Sequence, residues 1–213
     1  MTTILELDTP AVLIDIDRVE DNLARAQSYA DANGLKLRPH IKTHKLPRLA
    51  KRAMALGAIG ITVQKLGEAE VFADAGISDI FLPYNIIGAA KLARLRALHD
   101  RVQISVTADS AETLDGLSRT FAGAANPLTV LVECDTGMGR CGVQTPAAAV
   151  ALAQTIASAP GLRFGGLMTY PAAGQVEANA AWLAAATVAL TEAGLVGEGL
   201  RALEIGLDAV EID

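Results

Sequence analysis

Aromatic side chains and positive charge are scarce in this sequence. Aromatic residues make up 4% of the 213 residues, so an apolar core must come mainly from Ala, Val, Leu and Ile, which a hydrophobic content of 51% supplies. The net charge of −6 argues against a broad basic face for binding a nucleic acid duplex. The length fits one domain, and we expect a single domain over residues 1–213.

Cysteine and long apolar runs are also limited. Cys134 and Cys141 lack CxxC spacing and are typical of reduced thiols rather than of a disulfide framework. The longest apolar stretches fall short of the ~20 residues of a membrane span. The first residues, MTTILELDTP, do not have the pattern of a signal peptide. These features predict a cytoplasmic protein without nucleic acid or membrane partners.

Short β-like runs alternate with helical segments along the chain. AVLIDID (11–17) predicts a first strand, LKLRPHI (35–41) a second, LRFGGLMTY (162–170) a late one and LRALEIG (200–206) a last one. Such alternation is typical of a parallel sheet with helices outside it. Because no GxGxxG follows an early strand, a TIM-type (β/α) barrel is favoured over a dinucleotide-binding sheet. The chain is short for eight strands, so we expect an incomplete barrel.

The segment LRPHIKTHK (37–45) concentrates basic residues in an acidic protein. On a strand, the alternation of Lys36, Arg38, His40 and Lys42 with apolar residues places the basic set on one face, the interior in a barrel. His40 and Lys42 would lie at the carboxyl end, where barrel active sites are built. A lysine enclosed among cations loses its proton more easily, and a neutral amine is required to condense with a carbonyl.

Two other interpretations of this segment stand beside the catalytic lysine. The basic residues could form the solvated face of an edge strand. His40 and His44 are four residues apart, which is the spacing of two metal ligands on a helix. Pro39 and the alternating pattern argue against a helix here. The residues alone leave the catalytic lysine and the solvated face as alternatives.

RPHIKTHK, preceded by DTPAVLIDIDRVEDNL, resembles the D-threonine aldolase and D-serine dehydratase family. These are alanine-racemase-like, fold-type III pyridoxal-phosphate enzymes. The stretches ITVQKLGEAEVFADAGISDIFLPYN, LVECDTGMGRCGV and FGGLMTYPAAG continue the resemblance in the family's order, to about residue 195. The resemblance implies a barrel domain, pyridoxal 5'-phosphate as cofactor, a small D-amino acid substrate and a homodimer.

The resemblance also implies roles for individual residues. Lys42 would carry the cofactor through its amine. Arg140 would lie near the pyridine ring and keep the ring nitrogen largely unprotonated. Gln64 and Tyr170 would line the pocket, and His40 would support the ring or the lysine.

Some of these residues also have a simpler structural interpretation. Arg140 could form an ion pair with Glu133 or Asp135. Tyr170 could be an aromatic residue of the rim, and Gln64 the polar end of a strand. The sequence alone leaves both interpretations of each residue in place.

The reaction implied by the resemblance is a retro-aldol cleavage of a 3-hydroxy-D-amino acid to glycine and an aldehyde. The alternatives are a D-serine-dehydratase-like elimination, an amino-acid racemase, and a single-barrel pyridoxal-phosphate-binding protein without lyase activity. The full-length family adds a glycine-rich phosphate-binding turn and a β-domain with His and Cys ligands for a divalent metal (Mn, Mg or Zn). Residues 196–213 contain neither, so we predict no metal ligands here. Lys45 is expected to be an ordinary neighbour of Lys42, at the start of the following helix.

Overall fold

Helices and parallel strands alternate along the chain. The computed structural model describes residues 3–195 and the pair 204–205. After a short 3₁₀ turn, the elements are α1 (Ile16–Ala32), α2 (Pro47–Leu56), β1 (Ile61–Thr62), α3 (Leu66–Asp74), β2 (Asp79–Leu82), α4 (Ala89–His99), β3 (Gln103–Ala108), α5 (Ala111–Phe121), β4 (Leu128–Cys134), α6 (Pro146–Ser158), β5 (Leu162–Thr169), α7 (Val176–Glu192) and β6 (Glu204–Ile205).

The strands form one sheet in which each lies beside the strand before it. The order is β1-β2-β3-β4-β5-β6, and every neighbouring pair is parallel. A helix follows each of β1 to β5 and returns the chain to the amino end of the sheet. This is the arrangement of a TIM-type α/β barrel, which confirms the predicted fold class. The described residues supply fewer than the eight strands of a complete barrel.

Apolar residues on the helix-facing side of the sheet build the main core. Val106 and Val130 on neighbouring strands are fully buried against helical residues such as Leu117 and Ile156. Each such side chain contributes about 1.5–3 kcal/mol when fully buried, so this face dominates stability. A smaller cluster of Phe81, Leu131 and Met168 lies apart from the main core.

Side-chain caps fix where several helices begin. The Asp15 carboxylate accepts hydrogen bonds from two backbone amides of the first turn of α1. Ser110 caps α5 and Thr145 caps α6, where Pro146 occupies the first helical turn. Such caps each contribute about 1 kcal/mol. They set the end of each loop that follows a strand.

The predicted strand at 11–17 is wrong. Residues 11–15 belong to no strand of the structure, and α1 already begins at Ile16. Val12 is 92% exposed, so its apolar pattern reflects no burial among the described residues. A β-like pattern becomes a strand only when a neighbouring strand supplies backbone partners.

The predicted strand at 35–41 forms only in part. Backbone amides of Ile59 and Thr62 donate to the carbonyls of Leu37 and Pro39, and the Ile41 amide donates back to Thr62. The paired segment is a single parallel bridge between His40 and Thr62, because Pro39 has no N–H to extend the ladder.

The alternation of faces is confirmed at two positions of this segment, since Leu37 and Ile41 are buried. The last predicted strand coincides with β6 at 204–205, and its other residues, with most of the divergent stretch 196–213, lie outside the described residues. No helix of the described part is long and apolar enough to cross a lipid bilayer.

Candidate active site

Polar side chains gather where the parallel strands end. We call this region the mouth and define it by the residues Lys42, Gln64, Tyr84, Glu133, Arg140 and Tyr170. Each lies at or after the carboxyl end of a strand or of the segment paired with β1. The carboxyl ends of parallel strands meet at one edge of a sheet, so residues far apart in sequence share one site.

Two histidines shape the turn that carries Lys42. The Lys42 amide donates to Nδ1 of His40 at 3.2 Å, and the Leu46 amide donates to Nδ1 of His44 at 2.9 Å. Both imidazoles therefore use a ring nitrogen to hold the local backbone. Burial lowers the pKa of His44, which favours the neutral ring that can accept this bond.

Tyr170 lies between two cationic side chains. The Lys42 Nζ atom is 5.7 Å from the centre of the Tyr170 ring, and the Arg140 Cζ atom is 4.4 Å from it. Each such contact contributes about 0.5–1 kcal/mol at a partly exposed site. The ring joins the predicted cofactor lysine to the predicted pocket arginine.

A buried carboxylate lies behind Arg140. Glu133 is 3% exposed, and its Oε2 atom accepts a hydrogen bond from the Thr107 hydroxyl at 3.1 Å. Its Oε1 atom accepts one from the Cys141 thiol at 2.9 Å and lies 3.8 Å from Nη2 of Arg140. The interpretation of Arg140 as an ion-pair partner of Glu133 is thus confirmed. Its role toward a cofactor stays a prediction.

Burial and the hydrogen bond to Glu133 raise the pKa of the Cys141 thiol. The thiol therefore stays protonated and can serve as a donor to the carboxylate. Burial, followed by the nearby Glu133 charge, raises the pKa of Cys134 to about 12. Both residues are free cysteines in the structure.

The loop that presents Arg140 is held by one aspartate and by glycines. Oδ1 of Asp135 accepts hydrogen bonds from the amides of Gly137 and Gly139, both at 3.0 Å. These bonds hold the pKa of Asp135 below its ordinary value. At Gly142, φ is +107°, and a Cβ atom would lie 2.6 Å from the Asp135 backbone nitrogen. Only glycine fits there, and the loop conformation depends on it.

Gln64 is held on both its side chain and its backbone. The Gln64 side-chain amide donates to the Tyr84 hydroxyl at 3.0 Å. The Gln64 backbone amide donates to Oε2 of Glu68 at 2.8 Å, which fixes the loop after β1.

The structure places the predicted site residues at one edge of the sheet. Lys42, Arg140 and Tyr170 form a contacting group, Gln64 is hydrogen-bonded to Tyr84, and His40 accepts from the Lys42 backbone. Their functional roles remain predictions.

Sequence reasoning missed Tyr84, the part that Glu133 plays beyond Arg140, and all of Glu68. A weak signal existed for Glu133, which interrupts the apolar strand LVEC, but only the structure shows that Glu68 is buried on α3. Charged residues at buried positions are rare unless they are paired.

Lys45 lies directly before the helix, near the predicted position. Helix α2 begins at Pro47 with Leu46 as its cap, and Lys45 has a left-handed φ of +53°. Its ammonium group is paired with Glu68, a contact that the sequence did not predict. That Lys42 rather than Lys45 carries the cofactor stays a prediction.

The donor set fits the aldehyde and the ring of pyridoxal phosphate. An amine, an aromatic face and a guanidinium group converge within one contacting group, which suits an aldehyde on a flat aromatic ring. Lys42 would hold the aldehyde carbon, and Arg140 and Tyr170 would lie beside the ring. A metal ion has no such set, because no group of three or more His, Cys, Asp or Glu side chains in residues 3–195 and 204–205 could hold one.

Known proteins resemble this chain along most of its length. The model of the alanine racemase N-terminal domain matches residues 14–202. The D-threonine aldolase of an Arthrobacter species is 44% identical over 164 residues, covering 77% of this chain and 43% of that protein.

Solved structures agree with this match. The D-threonine aldolase of Filomicrobium marinum superposes with a TM-score of 0.84 at 38% identity, over 90% of this chain and 54% of that one. The D-threo-3-hydroxyaspartate dehydratase of Delftia sp. HT23 gives a TM-score of 0.81 at 35% identity, over 92% and 55% of the two chains. The chain spans about half the length of the relatives it matches.

Proposed function

The chain belongs to the alanine racemase N-terminal domain family, and we propose that it works as the cofactor-binding barrel of a pyridoxal-phosphate lyase acting on 3-hydroxy-D-amino acids. The proposed reaction is that of a D-threonine aldolase, which cleaves the substrate to glycine and an aldehyde. The observation that carries the proposal is the contacting group of Lys42, Tyr170 and Arg140. It lies in a chain that is 44% identical to a D-threonine aldolase.

Lys42 is the proposed point of covalent attachment. Pyridoxal phosphate, when bound, supplies a sink for the electron pair released as a bond to Cα breaks. The Lys42 amine would hold the cofactor's aldehyde carbon until the substrate's own amine replaces it. The hydrogen bond from the Lys42 amide to His40 keeps the backbone of this residue in place. With its Nδ1 atom used as an acceptor, a neutral His40 carries its proton on Nε2.

Arg140 and Tyr170 are the proposed ring contacts. A guanidinium group does not give up its proton near neutral pH, so Arg140 would leave the pyridine nitrogen largely unprotonated. Glu133 offsets this positive charge from behind, at 3.8 Å. Gln64 and Tyr84, joined by a hydrogen bond of 3.0 Å, would close the other side of the pocket against water.

A divalent metal also belongs to the proposal, on the strength of the family resemblance alone. The described residues provide no ligand set for it, and no step described above depends on it.

We also propose a homodimer in the cytoplasm, acting without nucleic acid or membrane partners. The free thiols Cys134 and Cys141 support the reducing compartment, and light scattering on the purified protein tests the dimer.

The test uses the complete natural protein. Adding pyridoxal phosphate should produce the visible absorbance band of a cofactor–lysine bond, and borohydride reduction followed by peptide mapping should locate the cofactor on Lys42. Incubation with D-threonine and Mn²⁺ should release glycine and an aldehyde. The absence of both the band and the labelled peptide in folded protein would refute the proposal.

A dehydratase is the second candidate, favoured by the fold match to D-threo-3-hydroxyaspartate dehydratase at 35% identity. Release of a 2-oxo acid and ammonia, without glycine, would identify it. A protein that binds the cofactor and turns over neither D-threonine nor 3-hydroxy-D-aspartate would instead be a cofactor-binding barrel without lyase activity.

A further inference from the structure

Two lysines lie in the turn at the mouth, and each carries an amine of the kind that condenses with an aldehyde. Lys42 and Lys45 are three residues apart. The side chain of Lys45 is 53% exposed, so a small aldehyde can reach it. Condensation of either amine with an aldehyde forms a C=N bond and releases water, and the amine must first give up a proton. Some feature of the site must therefore separate the two lysines.

We propose that Glu68 is a positioning residue: it holds the Lys45 ammonium group in an ion pair, away from the cofactor's aldehyde, and so directs the aldehyde to Lys42. The inference rests on the proposed function in that it takes an aldehyde cofactor as the ligand. Glu68 acts through Lys45 and through the backbone of Gln64, not through contact with the cofactor.

The Glu68 carboxylate has the burial and charge that this role requires. It is 6% exposed, and its Oε1 atom accepts a hydrogen bond from the Lys45 ammonium group. Burial acts to raise the pKa of Glu68, but the bonds from Lys45 and the Gln64 amide and the charges of Lys45 and Lys65 hold it below its ordinary value. The carboxylate is therefore ionised at neutral pH, and its position in the first turn of α3 favours that charge.

Backbone geometry ties the same ion pair to the turn. The Lys45 amide donates to the Ile41 carbonyl at 2.9 Å, which closes the turn around Lys42. Lys45 adopts a left-handed φ of +53°, which residues with a side chain rarely adopt. Its ion pair with buried Glu68 ties this strained position to α3.

The other oxygen of Glu68 extends the control to the neighbouring loop. Its Oε2 atom accepts the Gln64 amide at 2.8 Å, so one carboxylate holds both the Lys42 turn and the Gln64 loop. In Glu68→Gln, the side-chain NH₂ group would face either the Lys45 ammonium group or the Gln64 amide. A donor would then oppose a donor, and one of the two bonds must be lost.

The first experiment measures lysine reactivity without any cofactor. The complete natural protein and its Glu68→Gln variant are treated with limiting formaldehyde and cyanoborohydride, and methylation of each lysine is followed by mass spectrometry. The exposed helical residue Lys91 serves as the internal reference. In Glu68→Gln, methylation of Lys45 relative to Lys91 should rise about threefold to tenfold, as expected when an ion pair worth about 1 kcal/mol is lost. An unchanged ratio in folded protein would overturn the inference.

The second experiment uses pyridoxal phosphate, followed by borohydride reduction and peptide mapping. The natural protein should carry the pyridoxyl group on Lys42, whereas Glu68→Gln should divide it between Lys42 and Lys45. Lys45→Arg keeps the ion pair without a competing amine and should label on Lys42 as the natural protein does.

The two experiments separate the two claims. Natural protein that takes no pyridoxyl group on Lys42 refutes the proposed function, while the methylation ratio still decides the role of Glu68. If Glu68→Gln is labelled on Lys42 alone and its methylation ratio is unchanged, the positioning role of Glu68 is wrong.

Discussion

The two ends of the sheet each contain an arginine paired with a carboxylate, and the pairs differ in which partner is enclosed. At the amino end, which we call the floor and define by Arg38, Asp79, Gln103, Thr129 and Arg163, Arg38 donates two hydrogen bonds to Asp79 at 2.8 and 3.2 Å. The Arg38 side chain is 10% exposed. At the mouth, the Glu133 side chain is only 3% exposed, whereas the Arg140 side chain is 44% exposed. Oε1 of Glu133 lies 3.8 Å from Nη2 of Arg140.

This difference separates a structural pair from one suited to a ligand. On the floor, both terminal nitrogens of Arg38 donate to Asp79, and the pair joins the basic segment 37–45 to β2. At the mouth, the Cys141 thiol and the Thr107 hydroxyl donate hydrogen bonds to Glu133. The guanidinium group of Arg140 can therefore lie on the face of the Tyr170 ring. The same residue types thus stabilise the sheet at one end and present a cation at the other.

The largest effect is expected at Lys42. If the mouth carries the chemistry, Lys42→Ala should remove the cofactor's absorbance band and lower lyase activity by more than about 10³-fold, with little change in the free energy of unfolding. Lys36→Ala removes an exposed lysine six residues before Lys42 and should leave both unchanged. Activity that survives in Lys42→Ala would place the chemistry elsewhere.

A smaller effect is expected behind Arg140. Glu133→Gln preserves shape but removes the charge that holds the guanidinium, so kcat should fall about 10-fold to 100-fold. Steady-state kinetics and cofactor titration measure this change. Asp115→Asn, at an exposed ion pair with Arg119 on α5, is the matched control and should change neither. A variant with normal kcat would show that Arg140 keeps its position without Glu133.

The floor should respond in stability rather than in catalysis. Asp79→Asn removes the charge that accepts two hydrogen bonds from the enclosed Arg38 side chain, which should cost about 1–2 kcal/mol of unfolding free energy. This is less than for a fully buried pair because Asp79 is 32% exposed. Urea titration measures the loss, while kcat/KM of the remaining folded enzyme should stay within about twofold. A large drop in kcat/KM would contradict the division between the two ends.

The smallest effect concerns pH. Burial lowers the pKa of both His44, at the mouth, and His99, at the end of α4. The unfolded chain then binds protons more readily than the folded one, so the stabilisation from the neutral rings is present above about pH 6.5 and is lost as pH falls through the folded pKa.

Urea titrations between about pH 7 and pH 5 should therefore show a falling free energy of unfolding. His44→Gln and His99→Gln should each flatten this decline, whereas replacing the exposed residue Lys91 with Gln should not. An unchanged slope in both histidine variants would assign the decline to other groups.

Much of the barrel could be predicted because its signals are local. Strands such as Leu128–Cys134 are short apolar runs, and Thr145 with Pro146 marks a helix start within two residues. The strand at 11–17 could not be excluded in this way, since its failure depends on a partner strand that the segment itself does not reveal.

The site was predictable only as far as motifs extend. RPHIKTHK predicts Lys42 and GRCGV predicts Arg140 as site residues by resemblance, and the structure brings both side chains to the same tyrosine ring. The carboxylates behind them were not assigned fully, because Glu68 meets Lys45 23 residues away and Glu133 meets Thr107 26 residues away. Which side chain donates to which carboxylate is decided by the fold of the sheet and not by spacing along the chain.

One irregularity in β5 precedes Tyr170. Val130 lies opposite Phe164 while Val132 lies opposite Leu167, so β5 contains one extra residue at Gly165–Gly166. A Cβ atom on Gly165 would lie 2.5 Å from Thr129, and φ of Gly166 is +118°. Because side chains alternate, an extra residue without a bulge would exchange the two faces for everything that follows, whereas a bulge takes up the extra residue and keeps the later pairs in place. The glycine pair therefore acts as a spacer that lets β5 carry one more residue than β4 while Tyr170 stays on the face of Arg140. Deleting one of the two glycines would restore the regular register and leave Tyr170 on that same face.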